Sequence, residues 1–199
     1  MKIKSVVVGL GKIGLEYDKN NFSDNNNFYT HSKVLHYEDR FDLLAGVDIN
    51  KKNRALFHQQ TGNESFDSIL SLKSKYQEID LFVISTPTNT HLQVIKEILN
   101  NYKPLIILCE KPLSHSFTET KKILSLFKNI DTELFINFPR RVETSINRIK
   151  NELNKANKIK GTVWYSNGLI NNGVHFIDLM IYFFGEIRKI DLTKTNQIN

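Results

Sequence analysis

Between residues 6 and 48 the chain sets out side chains suited to holding a dinucleotide. Val6-Val7-Val8 runs directly into Gly9-Leu10-Gly11-Lys12-Ile13-Gly14, a G-x-G-x-x-G turn that also holds Lys12 and Ile13. The chemistry needs those types at those places. Gly9 permits a tight turn, Gly11 lets the backbone approach a pyrophosphate, Gly14 lets the following helix pack closely, and the helix's free N–H groups meet the anion. Asp48 closes a second apolar run, Leu43-Leu44-Ala45-Gly46-Val47, about where a ribose diol needs a carboxylate. A carboxylate there accepts from a free diol and repels a 2′-phosphate, which favours NAD over NADP, although Lys51, Lys52 and Arg54 partly offset that repulsion. An ordinary glycine-rich turn is the alternative for the glycines taken alone.

The elements that must position these residues alternate. Strands are expected at 3–9, 42–48, 79–85, 104–109 and 132–137, with helical spacing at 51–60, 67–73, 90–101 and 116–127. Leu81-Phe82-Val83-Ile84 and Leu105-Ile106-Ile107-Leu108 are apolar at consecutive positions, the pattern of strands covered on both faces. The fold class is therefore α/β, an N-terminal Rossmann doubly wound parallel sheet followed by a partial α+β domain. The polar stretch from Asp18 to Asn27 interrupts this order as an inserted segment over 15–30, either a lid over the site or a mobile surface loop. After Phe138 a helix is expected at 140–153, a strand at 158–165, a helix at 174–184 ending at Gly185, and a strand at 187–192. The domains divide as 1–120, dinucleotide-binding, and 121–199, a partial substrate and oligomerisation domain.

Composition narrows the function. Of 199 residues, 40% are hydrophobic and 24% charged, the balance of a globular protein. No apolar run reaches the ~18 residues of a membrane span and no signal peptide opens the chain, so no membrane partner and a cytoplasmic location are expected. Cys109 is the single cysteine, so neither an internal disulfide nor a cysteine metal cluster can form, and no metal is expected. It reads as a small core residue at a strand end. The net charge of +6 comes from scattered lysines, which argues against nucleic acid as partner and favours an anionic small molecule.

Four more clusters fall at strand ends or after them: Ser85-Thr86-Pro87-Thr88-Asn89-Thr90-His91, Glu110-Lys111-Pro112, Asn137-Phe138-Pro139-Arg140-Arg141, and Asn171-Asn172-Gly173-Val174-His175-Phe176-Ile177-Asp178. Together with the glycines and Asp48 they resemble the Gfo/Idh/MocA oxidoreductases, which include glucose-fructose oxidoreductase, inositol dehydrogenases and nucleotide-sugar dehydrogenases. The resemblance implies an NAD-dependent dehydrogenase that moves a hydride between the nicotinamide and a sugar or nucleotide-sugar hydroxyl, the latter in surface polysaccharide biosynthesis. It implies Lys111 at the reacting hydroxyl and His175 as proton acceptor, the base and cation that alcohol oxidation requires. It adds Thr86, Pro87, His91 and Glu110 to the cofactor contacts and makes Lys111–Pro112 a candidate cis bond. Asn171 stands where many inositol-type members carry an aspartate. It cannot accept a proton, which moves the base role to His175. Arg141 and Asp178 are candidate substrate contacts, each also readable as a solvated charge.

Members of the family carry a longer second domain, a broad open sheet. The present chain matches only its beginning, which exposes an edge and leads to the expectation of a homo-oligomer. A catalytically silent NAD-binding protein, or a fragment that lost the substrate sheet, is the alternative reading.

Overall fold

A computed structural model describes residues 2–24, 26–156 and 158–191. Six strands, β1 (Ile3–Val8), β2 (Phe41–Val47), β3 (Glu64–Phe66), β4 (Leu81–Ile84), β5 (Ile106–Glu110) and β6 (Glu133–Asn137), form one sheet. Every pairing is parallel and the order is β3-β2-β1-β4-β5-β6. The chain builds outward from β1 to β3, returns to β4 beside β1, and builds outward the other way. That reversal leaves a crevice beyond the carboxyl ends of β1 and β4, where open α/β sheets bind ligands.

The doubly wound sheet expected from the sequence is present, and strand periodicity explains its two covered faces. Val6, Val8, Phe82, Ile84, Ile107 and Cys109 pack on one side against α3 (Ile69–Lys73), α4 (His91–Asn101) and α5 (Phe117–Leu126). Val7, Leu43, Leu81 and Val83 pack on the other against α1 (His31–Tyr37) and α2 (Lys51–Thr61). Each such side chain buried is worth ~1.5–3 kcal/mol. Two elements have no counterpart in the sequence reading. Strand β3 is three residues long and lies at the sheet edge, and helix α1 begins well after the glycine turn.

By contacts within the chain there are two units, Met1–Asn137 and Phe138–Asn199. The expected boundary at residue 120 would cut through α5, and β6 pairs with β5 along its whole length, so the first unit extends through Asn137. The second unit contains a 3-10 turn (Pro139–Val142), α6 (Thr144–Leu153), a π-helical turn (Leu169–Gly173) and α7 (Val174–Phe184). Helix 174–184 is where the periodicity puts it. The strand expected at 158–165 does not form, nor does the described part of the one at 187–192; Leu192 lies outside the described residues. A strand persists only when its N–H and C=O groups find a ladder partner, and the described residues of this unit supply none. The expected α+β character of the second part is therefore helical among the described residues.

Candidate active site

The glycine turn is built by close approach. Gly9 has φ 93°, and a Cβ there would lie 2.6 Å from the Thr86 nitrogen. A Cβ on Gly14 would lie 2.0 Å from the Gly9 carbonyl oxygen. Gly11 is the opposite case: nothing stands within 4 Å of its added Cβ, so the backbone is open to a ligand. Ser85, at the end of β4, ties the turn down by donating from Oγ to the Gly9 carbonyl at 2.7 Å.

Asp48, just past β2, reaches across to the same turn. Its Oδ2 accepts from the Leu10 N–H at 2.7 Å and from Asn53 Nδ2 at 3.1 Å, and its Oδ1 accepts from the Asn50 N–H at 2.7 Å. A carboxylate has about four acceptor sites, so capacity remains for a ribose hydroxyl beside these three bonds. Arg54 donates from Nη1 to the Asp48 and Ile49 carbonyls, at 2.8 and 3.0 Å, which spends that end of the guanidinium on the backbone.

These residues line a cavity of about 840 Å³ that runs from Asp48 and Asn53, past Gly11 and Ser85, to Glu110 and Lys111. Gly9, Lys12, Ile13, Thr86 and Pro87 lie on its wall, and so does Tyr17, which carries no motif in the sequence. His91 is elsewhere. It is buried, with Nε2 3.0 Å from the Thr86 carbonyl and Nδ1 3.2 Å from that of Leu113, so it fastens two loops together and does not line the cavity. The expectation that His91 touches the cofactor is corrected accordingly.

Glu110 ends β5 with its carboxylate largely buried. Its Oε1 lies 2.9 Å from His31 Nε2 and accepts from Asn137 Nδ2 at 2.6 Å, while Oε2 accepts from the Lys111 N–H at 3.3 Å. Burial pushes its pKa up, but the bonds from His31 and Asn137 outweigh that, and the carboxyl is held below its usual range. The Lys111–Pro112 peptide is cis, in agreement with the resemblance. Cys109, one residue earlier, is fully buried, and desolvation pushes its thiol up to about 12, so it is a core residue and no nucleophile.

The inserted segment is folded. Leu15 and Phe22 are buried in the core, and Asp18 Oδ2 accepts from Thr30 Oγ1 at 2.7 Å and from the Tyr29 N–H at 3.0 Å. Lys33 Nζ donates to the Asn21 and Asn27 carbonyls, each at 2.6 Å, and lies 3.7 Å from Asp18 Oδ1. Both charged side chains are fully buried. The segment's ends meet, because the His31 and Ser32 N–H groups donate to the Ile13 and Gly14 carbonyls. Turns and a 3-10 turn (Glu16–Asp18) lead out of the glycine turn, and α1 takes the chain up again at His31, so the segment is anchored at both ends.

The second unit carries the remaining candidates. Asn171 sits in the π-helical turn and His175 in the first turn of α7, its ring edge-on to Phe138 with centroids 6.1 Å apart. Arg141 and Asp178 pair with each other: Nε donates to Oδ2 at 2.7 Å and Nη2 to Oδ1 at 2.5 Å. That bidentate pair raises the Arg141 pKa. The two are thus not independent charges: Asp178 is buried in an ion pair with Arg141, whose side chain stays partly exposed.

Residues 3–138 match the model of the oxidoreductase family with an NAD-binding Rossmann fold. The chain belongs to this family. An inositol 2-dehydrogenase of Rubrobacter xylanophilus is 28% identical over 115 residues, 57% of this chain and 32% of that protein. Among solved structures, myo-inositol 2-dehydrogenase from Lactobacillus plantarum superposes with a TM-score of 0.74 at 20% identity, covering 93% of this chain and 57% of that one. The WlbA dehydrogenase from Bordetella pertussis, in complex with NADH and UDP-GlcNAcA, gives 0.73 at 18% identity, covering 93% and 59%. The chain thus spans less than two thirds of the length of each. The matched region is the family's NAD-binding Rossmann fold, and the residues here fit NAD: an open backbone at Gly11, a turn closed to any Cβ at Gly9 and Gly14, and a carboxylate with capacity to spare. Among the described residues no helix is long and apolar enough to cross a membrane.

Proposed function

We propose that the chain acts as an NAD-dependent dehydrogenase on the CH–OH group of a sugar or nucleotide sugar. One observation carries this reading: Lys111 lines the same cavity as the glycine turn and Asp48. NAD, when bound, supplies the nicotinamide that takes up the hydride. Gly11 and the N–H groups after it hold the pyrophosphate, and Asp48 holds a ribose hydroxyl. The Lys111 ammonium sits by the reacting oxygen and stabilises it as negative charge develops. His175 would take the hydroxyl proton as general base. The relative named for inositol and the neighbour holding UDP-GlcNAcA support the substrate class, and the latter supports the finer reading of a nucleotide sugar in surface polysaccharide biosynthesis.

A second reading has its own observation. The described part of the second unit forms no strand, which favours a protein that binds NAD without turning over a substrate.

The test is an NADH titration followed by fluorescence, then a screen for NADH formation at 340 nm with polyols and UDP-sugars. Binding with turnover, and a Lys111→Ala variant slowed by ~10²–10⁴ with NADH binding kept, is the expected result. Binding without turnover across the panel favours the silent reading. Failure to bind NADH overturns both.

A further inference from the structure

We propose that Tyr17, delivered by the inserted segment, is a contact residue for the bound dinucleotide, its ring packing on the ligand to complete the cleft wall. This deepens the reading of the cleft as an NAD site and rests on it.

The backbone fixes where Tyr17 stands. The Leu15 and Glu16 N–H groups both donate to the Gly11 carbonyl, and the Tyr17 N–H donates to that of Lys12 at 3.0 Å. Tyr17 is therefore one turn beyond the phosphate-binding residues, in the middle of the 3-10 turn Glu16–Asp18. It lines the cavity with them.

Its neighbours are immobilised from both sides. Leu15 is in the core, and Asp18 is held by Thr30, the Tyr29 N–H and the buried Lys33 ammonium. A lysine with no exposure, clasped by two loop carbonyls and a carboxylate, acts as an internal cation that draws Asp18, Asn21 and Asn27 together. A short polar excursion does not need such an anchor to stay on a surface. Its effect is to hold the excursion in one shape, with Tyr17 on the cleft side.

The side chain itself is unspent. Tyr17 is 59% exposed, and among the described residues its ring and hydroxyl have no aromatic or hydrogen-bonding partner. A rigidly mounted aromatic with two χ angles loses little entropy on packing against a planar or ribose surface, so its exposed area is available to a ligand.

NADH titration of the full chain and of two variants tests this. Tyr17→Ala is expected to weaken NADH about tenfold, the order for loss of one stacking ring, with the melting temperature unchanged because the side chain is mostly exposed. Tyr17→Phe keeps the ring and is expected to bind within about twofold of the parent. In the parent, saturating NADH should give intermolecular nuclear Overhauser effects to the Tyr17 ring protons, a readout that needs no variant. An alanine variant that binds like the parent, or no such effect at saturation, overturns the proposal while leaving the NAD site intact. A phenylalanine variant as weak as the alanine one overturns the ring's part. A parent chain that does not bind NADH overturns the NAD reading and this inference with it.

Discussion

Val83 in β4 and Trp164 in the second unit both lie in runs that read as strands, yet Val83 is 2% exposed and Trp164 is 87% exposed. Around Val83, β1 pairs on one side and β5 on the other, and helices cover both faces. Around Trp164 no ladder forms among the described residues, and in that unit Leu179 is the one buried apolar side chain described. Apolar alternation alone does not make a strand. The partner strand does, because an unpaired row of backbone groups gains nothing by being extended. The first unit holds all its partners between Ile3 and Asn137, so its local patterns and its global fold agree.

The largest expected effect tests that contrast in the first unit. Phe82 is fully buried at the centre of β4 and packs against Tyr102, with ring centroids 5.1 Å apart. Phe82→Ala should cost ~3–5 kcal/mol, since the removed ring leaves a cavity that flanking strands cannot close. Urea unfolding followed by circular dichroism measures it. A loss under ~1 kcal/mol would mean the sheet's core is not packed as described.

What the sequence discloses follows the same division. The strand before Gly9 and the glycine spacing are legible because every requirement lies within nine residues. Asp48 is legible for the same reason, as the polar residue ending an apolar run. Helix α1 is hidden because it is seven residues long and its first two N–H groups, of His31 and Ser32, donate back to Ile13 and Gly14 across the inserted segment. Lys33 is hidden too: in sequence it resembles any solvated lysine, and only the fold places two carbonyls and Asp18 around it. His31 escapes for a like reason, since its partner Glu110 is distant in the chain. The pairing of Arg141 with Asp178 is hidden because the two residues stand 37 positions apart, and in sequence each is a lone charge.

A middle-sized effect concerns the join between the start of α1, just after the inserted segment, and the end of β5. Glu110 has a folded pKa below its ordinary value, so its contribution to stability is complete above the unfolded carboxyl's pKa. It is lost as pH falls through the lower, folded value. His31→Leu removes one of the bonds that hold the carboxylate ionised, which should cost ~1.5–3 kcal/mol at pH 7, the range for a hydrogen bond to a charged group. The deficit should vanish once Glu110 is protonated. Urea unfolding of parent and variant from pH 7 down to 3 measures the gap, and a gap that stays constant would show that the pairing with Glu110 is not its source.

The smallest expected effect lies in the second unit and can break the comparison most directly. Trp164→Ala should change stability by less than ~0.5 kcal/mol, because an exposed side chain leaves little burial to lose. Trp164 is also the only tryptophan in the chain, so the parent's emission reports this position alone. It should show the red-shifted spectrum of a solvated indole and full access to acrylamide, at low and high protein concentration alike. A blue-shifted spectrum that strengthens with concentration would mean that a second copy covers the residue, and the substitution would then weaken that association while sparing the fold of the first unit. In that event the difference between Val83 and Trp164 would be one of when each is covered: Val83 on folding, Trp164 on assembly.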